Sequence, residues 1–418
     1  QPDELNEGRP IPSADVSQAA NLTHSIDDPD RLIATVLRLI RKRFGLDVSF
    51  VSQVHDGKRT FRFVDTHDGD AVVRAGESDP VEDSYCGYVL DGSLPQFLPD
   101  PAQHPVSAAM PATHGIPVGT HLSVPITFSD GAVYGTLCSF GYDVHDDLDE
   151  RDIDVLHVLA GMIAGYVEDA EARRQAEAAR ASKLQSLQVG HDMLLVFQPI
   201  VELATRHVVG IEALSRFPTL QSGPASVFDD AWRLGLGLDL ELRAAEAALR
   251  CLNNLPKDRY LAINLAPATL ASDQFLKLAQ TCRPQDRERI VVEITEHAVV
   301  EDYHELTQAN RKLRDFGIRF AVDDVGTGYS GLDHMLRVEP DILKLDGALI
   351  AGIDGSPSKQ AMVAALQTYA ARIGTKMIAE RVETPAEHDT LSILGIGHGQ
   401  GYLYAKPAPF ADLKQLAT

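Results

Sequence analysis

The chain has 418 residues and a mass of 45.5 kDa, with 44% hydrophobic and 23% charged residues. This composition is typical of globular proteins, and it excludes a wholly disordered chain, a collagen-like fibre and a bundle of membrane spans. The 38 basic and 60 acidic residues leave a net charge of −22, which excludes binding of duplex nucleic acid through a general positive field.

The start of the chain is rich in Pro, Ser, Asp and Asn and has no lasting hydrophobic period, so we predict a flexible tail at 1–26. It carries no basic segment followed by an apolar core, and we therefore expect neither a targeting signal nor membrane association. The four cysteines are widely separated and form neither a disulfide framework nor a zinc motif. A cytoplasmic location fits this cysteine usage.

Helical and strand periods within 27–168 predict an α+β domain with an antiparallel sheet. A helical period covers 31–44, and a hairpin is predicted over 120–141 around the Asp130-Gly131 pair. Further strand-like stretches, with Asp-Gly turn pairs at 56–57 and 68–69 between them, are predicted at 47–54, 60–65 and 71–76.

A long helix is predicted over 149–188, overlapping the end of this domain. Its first half is apolar, whereas its second half is rich in Ala, Glu and Arg and has no strong apolar stripe. Such a helix between two domains is either a dimer stalk that transmits a signal or a solvated connector. The heptad pattern is too weak to decide between them.

Apolar, β-rich runs alternate with helical stretches from residue 190 to 418. Eight such runs predict a (β/α)8 barrel of the TIM type, whose parallel strands are buried on both faces. The runs are 193–203, 208–217, 260–267, 289–296, 319–326, 341–350, 376–384 and 398–407.

Polar residues appear near the end of nearly every run. The carboxyl ends of parallel barrel strands meet at one mouth, where the active sites of such barrels lie. One acidic residue at a strand end is often a helix cap, but caps alone do not account for seven strands that end this way. The residues concerned are Glu212, Asn264, Glu293, Glu296, Asp323, Asp324, Lys344, Asp346, Glu380 and Gln400.

This set of residue types favours metal-dependent phosphoryl transfer. Carboxylates gathered at one mouth repel one another, and divalent cations are the usual remedy. Ligands that offer only oxygen favour Mg²⁺ or Mn²⁺ over zinc, and two such ions can promote attack of water on a phosphate. Asp323 and Asp324 could reach one ion each or share one, Lys344 could orient the water, and Glu380 could act as ligand or base.

The second half of the chain, residues 190–418, resembles an EAL domain, the phosphodiesterase family that linearises cyclic di-GMP. The signature Glu212-Ala213-Leu214 follows the segment FQPIVEL and is itself followed by Arg216. The remaining motifs come in the family's order: NLAP at 264–267, EITE at 293–296, DDVGTGYSGL at 323–332, KLD at 344–346, AERVET at 379–384 and GQGYLYAKP at 399–407.

The resemblance implies hydrolysis of cyclic di-GMP to linear pGpG with two Mg²⁺ or Mn²⁺ ions. It implies a first metal held by Glu212, Asn264, Glu293 and Asp323. Asp324 would help hold the second metal and the catalytic water, Lys344 would bind that water, and Glu380 would be the metal-associated base. Glu296 would anchor the loop after Asp324, and the substrate contacts would be Gln198, Leu214, Arg216 and Gln400.

Three positions depart from the usual EAL motifs. Val325 replaces a Phe, Gly331 replaces a Ser and Arg381 replaces a Gly. None of them is an implied metal ligand, so we expect altered turnover or regulation with the same chemistry.

The first part of the chain, residues 27–168, resembles a GAF domain, a module that senses small ligands or other signals. The resemblance is carried by SYCGYVLDG at 84–92, IPVGTHLSVPITF at 116–128 and DGAVYGTLCSF at 130–140. It implies a sensor for a small molecule or a redox signal but does not identify that signal. Cys86 and Cys138 are compatible with a redox or chromophore role, although small buried structural residues are the simpler interpretation.

We therefore predict a homodimeric enzyme in which a GAF sensor acts through the helix at 149–188 on a cyclic di-GMP phosphodiesterase. One alternative is a receptor that binds cyclic di-GMP in the same pocket without hydrolysing it. The complete carboxylate set argues against that alternative, because pure binding gains nothing from so many repelling charges. An unrelated Mg²⁺-dependent barrel lyase of the enolase type is a third hypothesis, which the ordered motifs disfavour.

Overall fold

The computed structural model describes residues 29–67, 72–116, 118–295, 303–326 and 337–415. Four sequence predictions lie outside the described residues: the tail at 1–26, the Asp68-Gly69 turn, and the roles of Glu296 and Gly331.

The chain divides into two compact units, residues 1–176 and 177–418, which we describe separately. None of the described helices combines the length and the apolar character needed to cross a bilayer.

The first unit contains a six-stranded antiparallel sheet with the strand order β3-β2-β1-β6-β5-β4. Its strands are β1 (Val48–His55), β2 (Lys58–Thr66), β3 (Ser78–Pro80), β4 (Phe97–Leu98), β5 (Thr120–Thr127) and β6 (Val133–Gly141). Its helices are α1 (Pro29–Phe44), α2 (Tyr85–Leu90), α3 (Pro111–Gly115) and the first part of α4 (Glu150–Ser186).

Helices α1 and α4 cover one face of this sheet, and a second apolar cluster, which includes Cys86 of α2, lies on the other. Leu37 of α1 and Leu156 of α4 are fully buried against Val124 of β5. The second cluster joins the rings of Phe50, Phe61 and Phe140 to two buried cysteines, Cys86 and Cys138. One side of α1 packs on the sheet, and this explains the amphipathic period of its sequence.

The hairpin predictions agree with the structure at both tested places. Asp56 and Gly57 have φ values of 49° and 72° and close the β1–β2 hairpin, as turns of this kind require at both central positions. Strands β5 and β6 pair across the Asp130-Gly131 turn. The strand predicted at 71–76 is wrong for its described part: this segment turns at Gly76, which has a φ of 90°, and β3 begins only at Ser78.

Helix α4 is longer than any other described helix and includes the boundary between the two units. Its first part contributes Ile153, Ala160 and Ile163 to the core of the first unit. Residues 172–180 are all exposed, and they form no apolar stripe along the helix. Leu184 then packs in a cluster of the second unit.

The second unit is a closed eight-stranded barrel with the strand order β10-β11-β12-β13-β14-β7-β8-β9. Its strands are β7 (Leu194–Glu202), β8 (Val208–Arg216), β9 (Tyr260–Asn264), β10 (Ile290–Thr295), β11 (Arg319–Val325), β12 (Ile342–Leu345), β13 (Lys376–Ala379) and β14 (His398–Gly399). The helices are α5 (Pro224–Arg233), α6 (Gly237–Leu249), α7 (Pro267–Ala271), α8 (Asp273–Gln280), α9 (Pro284–Arg287), α10 (Tyr303–Asp315), α11 (Gly347–Ile350), α12 (Pro357–Ile373) and α13 (Pro385–Ile393).

The prediction that all eight strands are parallel is wrong for β7. This strand runs antiparallel to both of its neighbours, β8 and β14, whereas the other neighbouring pairs are parallel. Only residues 203–207 connect β7 to β8. A parallel connection needs a dozen or more residues, so this short link permits only a hairpin.

Several predicted runs contain less strand than expected, those of β12 and β14 among them. Strand β12 stops at Leu345, and Asp346 caps α11 by accepting a hydrogen bond from the backbone N–H of Ala348 at 2.6 Å. Strand β14 has two residues, and the remainder of the run at 398–407 is turn and irregular structure.

Candidate metal centre at the barrel mouth

The candidate site is a polar layer that lies directly above an apolar layer inside the barrel. The apolar layer takes one side chain from each of six strands: Ile200, Ala262, Val291, Ala321, Ile342 and Ile378. Residues two apart on a strand share a face, so the side chains one step closer to the mouth form the next layer. Those side chains are Gln198, Asn264, Glu293, Asp323, Lys344 and Glu380.

Lys344 is the centre of this layer. Its side chain is fully buried, and Nζ lies 2.6 Å from Glu380 Oε1, 2.8 Å from Glu293 Oε2, 3.3 Å from Asp323 Oδ1 and 3.4 Å from Glu212 Oε2. Burial on its own would lower the pKa of Lys344, but the surrounding carboxylates raise it well above the ordinary value. The side chain is therefore a permanent ammonium.

Glu212 of β8 is fixed from two sides by amide groups. Asn264 donates from Nδ2 to Oε1 at 2.7 Å, and Gln400 donates from Nε2 to Oε2, also at 2.7 Å. Gln400 also donates to Gln198 Oε1 at 3.1 Å, and Gln198 donates to the carbonyl of Ala405. Gln400, which also contacts Gln198, thus orients Glu212. These hydrogen bonds connect β7 and β8 to the residue that follows β14.

Asp323 and Asp324 both reach the site because the backbone departs from regular alternation between them. Neighbouring residues of a regular strand point to opposite faces. Here Asp324 has a φ of 59°, and the β11–β12 register shifts between Val322 and Val325. Such an irregularity re-aims a side chain, and it brings oxygens of Asp323, Asp324 and Glu380 within 4.8 Å of one another.

The carboxylates outnumber the single ammonium, and their pKa values respond to this crowding. Burial, opposed by Lys344 and supported by Asp323 and Glu212, raises the pKa of Glu380 to about 8. Burial and the neighbouring Asp323 raise the pKa of Asp324 to about 6. The group as a whole is therefore short of positive charge.

The donor set fits divalent cations. Among the described residues, two groups of carboxylate oxygens lie close enough together to share an ion, Glu212–Glu293–Asp323 and Asp323–Asp324–Glu380, and they have Asp323 in common. Within the part of the chain that the structure describes, the buried Oε1 of Glu293 and Oε1 of Gln400 have no hydrogen-bond partner, and buried oxygens of this kind normally have one. An all-oxygen set suits Mg²⁺ or Mn²⁺ better than zinc.

A cavity of about 1060 Å³ opens beside this layer, and Asn264 and Glu293 lie in its wall. Leu214 and Arg216, both half-buried residues of β8, line it as well. The volume slightly exceeds the usual range for small-molecule sites, so there is room for a dinucleotide.

The strand-end pattern of the sequence does not reveal the part of the cavity wall that comes from α5 and α6. Trp232 lines the cavity next to Phe228, and its Nε1 donates to Glu241 Oε1 at 2.8 Å. Glu241 in turn accepts from the backbone N–H of Ala266, two residues after Asn264. Trp232 is the single tryptophan of the chain, but it belongs to a helix, so no pattern at the strand ends points to it.

The predicted site residues that the structure describes all lie in this region. Nine of them form the polar layer or its immediate extension: Gln198, Glu212, Asn264, Glu293, Asp323, Asp324, Lys344, Glu380 and Gln400. Of the departing positions, Val325 is buried next to Asp324, and Arg381 is exposed with a φ of 50°.

Comparison with known proteins places this barrel in a family. A family model described as the EAL domain matches residues 162–407, more than half of the 418-residue chain. The chain belongs to the EAL domain family. A model described as the GAF domain matches residues 27–168, so the predicted order of a GAF domain followed by an EAL domain is confirmed.

Several relatives that match the second half of the chain carry names that state an activity. The chain is 32% identical over 250 residues to "Cyclic di-GMP phosphodiesterase PA2567" of Pseudomonas aeruginosa, a match that covers 57% of this chain and 42% of the relative. It is 30% identical over 265 residues to "Probable cyclic di-GMP phosphodiesterase PdeN" of Escherichia coli, covering 61% and 50%. The chain thus spans about half the length of these curated relatives.

A solved structure resembles most of the chain, beyond the EAL domain alone. It is the EAL enzyme Bd1971 in a form bound to cAMP and cyclic di-GMP, with a TM-score of 0.54 and 18% identity. The match covers 89% of this chain and 93% of the other. At this identity the likeness concerns the fold alone.

Proposed function

We propose that this chain hydrolyses one phosphodiester bond of cyclic di-GMP and releases linear pGpG. The observation that carries the proposal is the meeting of two oxygen clusters around the buried Lys344 ammonium, beside a cavity large enough for a dinucleotide. The names of the relatives support the choice of substrate.

The two clusters would each hold one divalent ion. Glu212, Glu293 and Asp323, with the amide oxygen of Asn264, would hold the first, and Asp323, Asp324 and Glu380 the second. When bound, Mg²⁺ or Mn²⁺ would polarise the phosphoryl group and acidify the attacking water.

Side chains of the protein itself would position the water, accept its proton and bind the phosphate. The oxygen of a water molecule attacks phosphorus, the bond from phosphorus to the 3′ oxygen breaks, and that oxygen leaves with a proton. The Lys344 ammonium would hold the water by a hydrogen bond. Glu380 would accept its proton. Arg216 would bind a phosphate from the cavity wall.

The test is incubation of the purified full-length chain with cyclic di-GMP and Mn²⁺, followed by chromatography for pGpG. We expect complete conversion, and no conversion once a chelator removes the metal. A receptor would instead bind cyclic di-GMP in calorimetry and return it intact, and this result would contradict the proposal.

We further propose a domain division and an assembly for the whole chain. The GAF sensor would occupy 27–168, the connecting helix 149–188 and the phosphodiesterase 190–418, in a cytoplasmic homodimer. The exposed stretch of α4 at 172–180 is compatible with a helix that pairs with a second copy. Sedimentation equilibrium of the full-length chain at the mass of a monomer would contradict the dimer.

Trp232 is expected to stack on a guanine base in the cavity. Stacking of a base on an aromatic ring contributes about 1–3 kcal/mol, so Trp232→Ala should raise KM about tenfold with a smaller change in kcat. Trp232→Phe keeps a ring but loses the hydrogen bond to Glu241, and it should retain most of the affinity. If both variants raise KM equally, Trp232 acts through Glu241 and does not stack.

Gly401 is expected to be essential for the position of Gln400. A Cβ at residue 401 would collide with the backbone N and O of Val382, whose N–H donates to the carbonyl of Gln400 at 3.0 Å. Gly401→Ala should therefore reduce kcat/KM about 100-fold, because a misplaced amide no longer orients Glu212. Gly397→Ala is the matched control, since a Cβ there meets nothing within 4 Å. Equal turnover of the two variants would contradict the role given to Gln400.

A further inference from the structure

Two cysteines of the first unit, 52 positions apart, lie in contact. Cys86 of α2 and Cys138 of β6 are both fully buried, and their sulfur atoms are 3.2 Å apart. A disulfide bond is about 2.05 Å long, so an approach of roughly 1 Å would join them. Helix α2 has only six residues, which makes a shift of this size local.

The surroundings of the two sulfur atoms differ. Arg59 donates from a guanidinium nitrogen to Cys86 Sγ at 3.3 Å and is itself held by Asp79. Cys138 Sγ lies 3.0 Å from Ser123 Oγ and 3.1 Å from Thr136 Oγ1. One sulfur thus faces a cation, and the other faces neutral hydroxyl groups.

This difference makes Cys86 the nucleophile and Cys138 the partner that keeps its proton. Burial alone would raise the pKa of Cys86, but the contact with Cys138 and the charge of Arg59 lower it to about 5. Burial raises the pKa of Cys138 well above the ordinary value. A thiolate beside a thiol is the arrangement that favours oxidation followed by disulfide formation.

A small cavity lies beside Arg59, the residue that contacts Cys86. It has a volume of about 50 Å³, and its wall includes Arg59, His121 and the rings of Phe50, Phe61 and Phe140. These three rings pack in the same cluster as Cys86 and Cys138. A cavity of this size has room for a few atoms, about as many as a small peroxide contains.

We propose that Cys86 and Cys138 form a reversible disulfide when a hydroperoxide oxidises the pair. The Cys86 sulfur attacks one peroxide oxygen, the O–O bond breaks, and the other oxygen leaves and takes up a proton. Cys86 is then a sulfenic acid. The Cys138 sulfur attacks the Cys86 sulfur, the S–O bond breaks, and hydroxide leaves as water with the proton of Cys138. The two thiols lose two electrons in total, and the peroxide gains them.

The other two cysteines serve as internal controls. Cys251 and Cys282 are half-buried, and neither has a sulfur atom as a hydrogen-bond partner among the described residues. Burial raises the pKa of both thiols. They should therefore react more slowly with peroxide and not form a disulfide.

The experiment is oxidation of the full-length chain with hydrogen peroxide, followed by alkylation of free thiols and peptide mapping by mass spectrometry. We expect a Cys86–Cys138 peptide pair that is lighter by two hydrogens, alkylated Cys251 and Cys282, and full reversal by dithiothreitol. Free thiols at Cys86 and Cys138 after the peroxide has oxidised Cys251 and Cys282 would overturn the proposal. A sulfinic acid at Cys86 with Cys138 still reduced would also overturn it.

Single variants test the order of the two steps. In Cys138→Ser, Cys86 should stop at a sulfenic acid that dimedone traps, whereas in Cys86→Ser the Cys138 thiol should stay reduced. Arg59→Met should slow the first step about tenfold, because the cation that stabilises the thiolate is lost. Peptide mapping of the unmodified chain tests the proposal by itself. The proposal therefore remains testable even if a variant fails to fold.

Discussion

Replacing Glu212 by glutamine is expected to lower turnover of cyclic di-GMP by roughly three orders of magnitude. The substitution keeps the shape of the side chain and removes one negative charge from the Glu212–Glu293–Asp323 cluster. A carboxylate that would bind a cation directly is thereby exchanged for a weaker neutral ligand. Folding should be little affected, because Lys344 keeps three carboxylate neighbours.

The measurement is kcat/KM for pGpG formation with saturating Mn²⁺, together with the affinity for Mn²⁺ by calorimetry. Glu246→Gln is the matched control, since Glu246 is exposed on α6 and forms a surface pair with Arg250. Wild-type turnover in Glu212→Gln would refute the metal assignment. A loss of turnover with unchanged affinity for Mn²⁺ would place Glu212 outside the metal ligands.

Much of the site follows from one regularity of the sequence. Six of the eight barrel strands carry an apolar residue and, two positions nearer the mouth, a polar one, as in Val291 followed by Glu293. Because side chains alternate along a strand, this spacing places the polar residues in one layer. The sequence therefore predicts the layer without any knowledge of tertiary contacts.

The antiparallel strand β7 has the same spacing of two positions, but with the polar residue first. Gln198 precedes Ile200, whereas on the other strands the polar residue follows the apolar one. Since β7 runs in the opposite direction, the earlier residue lies nearer the mouth. The link at 203–207 has only five residues, which is too short for a parallel crossover. Its length alone therefore predicts that β7 and β8 are antiparallel.

Other features depend on backbone geometry or on distant contacts, and no local pattern shows them. The positive φ of Asp324, which turns two consecutive carboxylates to one side, is not encoded by strand alternation. The contact between Cys86 and Cys138 joins a short helix to a central strand. Trp232 enters the cavity wall through the packing of α5 on α6, where Gly237 leaves room for its ring. In each case tertiary packing decides the outcome.

Replacing Lys344 by methionine is expected to destabilise the barrel in the absence of divalent ions. The ammonium is fully buried and lies within 3.4 Å of four carboxylates. Removing one partner of a buried charge group leaves the others uncompensated, at a cost of about 3–5 kcal/mol. For a unit of this size that cost corresponds to a fall in Tm of about 10 °C.

Divalent ions should separate this electrostatic role of Lys344 from its role in the reaction. In Lys344→Met, Mn²⁺ is expected to recover most of the lost Tm, since cations in the Asp323-linked clusters would neutralise the same carboxylates. Turnover should nevertheless stay low, because methionine cannot donate a hydrogen bond to the attacking water. Thermal unfolding by circular dichroism with chelator and with Mn²⁺ measures the first effect, and pGpG formation measures the second. Lys376→Met, at the exposed start of β13, should change neither quantity. If Lys344→Met and Lys376→Met unfold at the same temperature with chelator present, the ammonium does not neutralise the carboxylate layer.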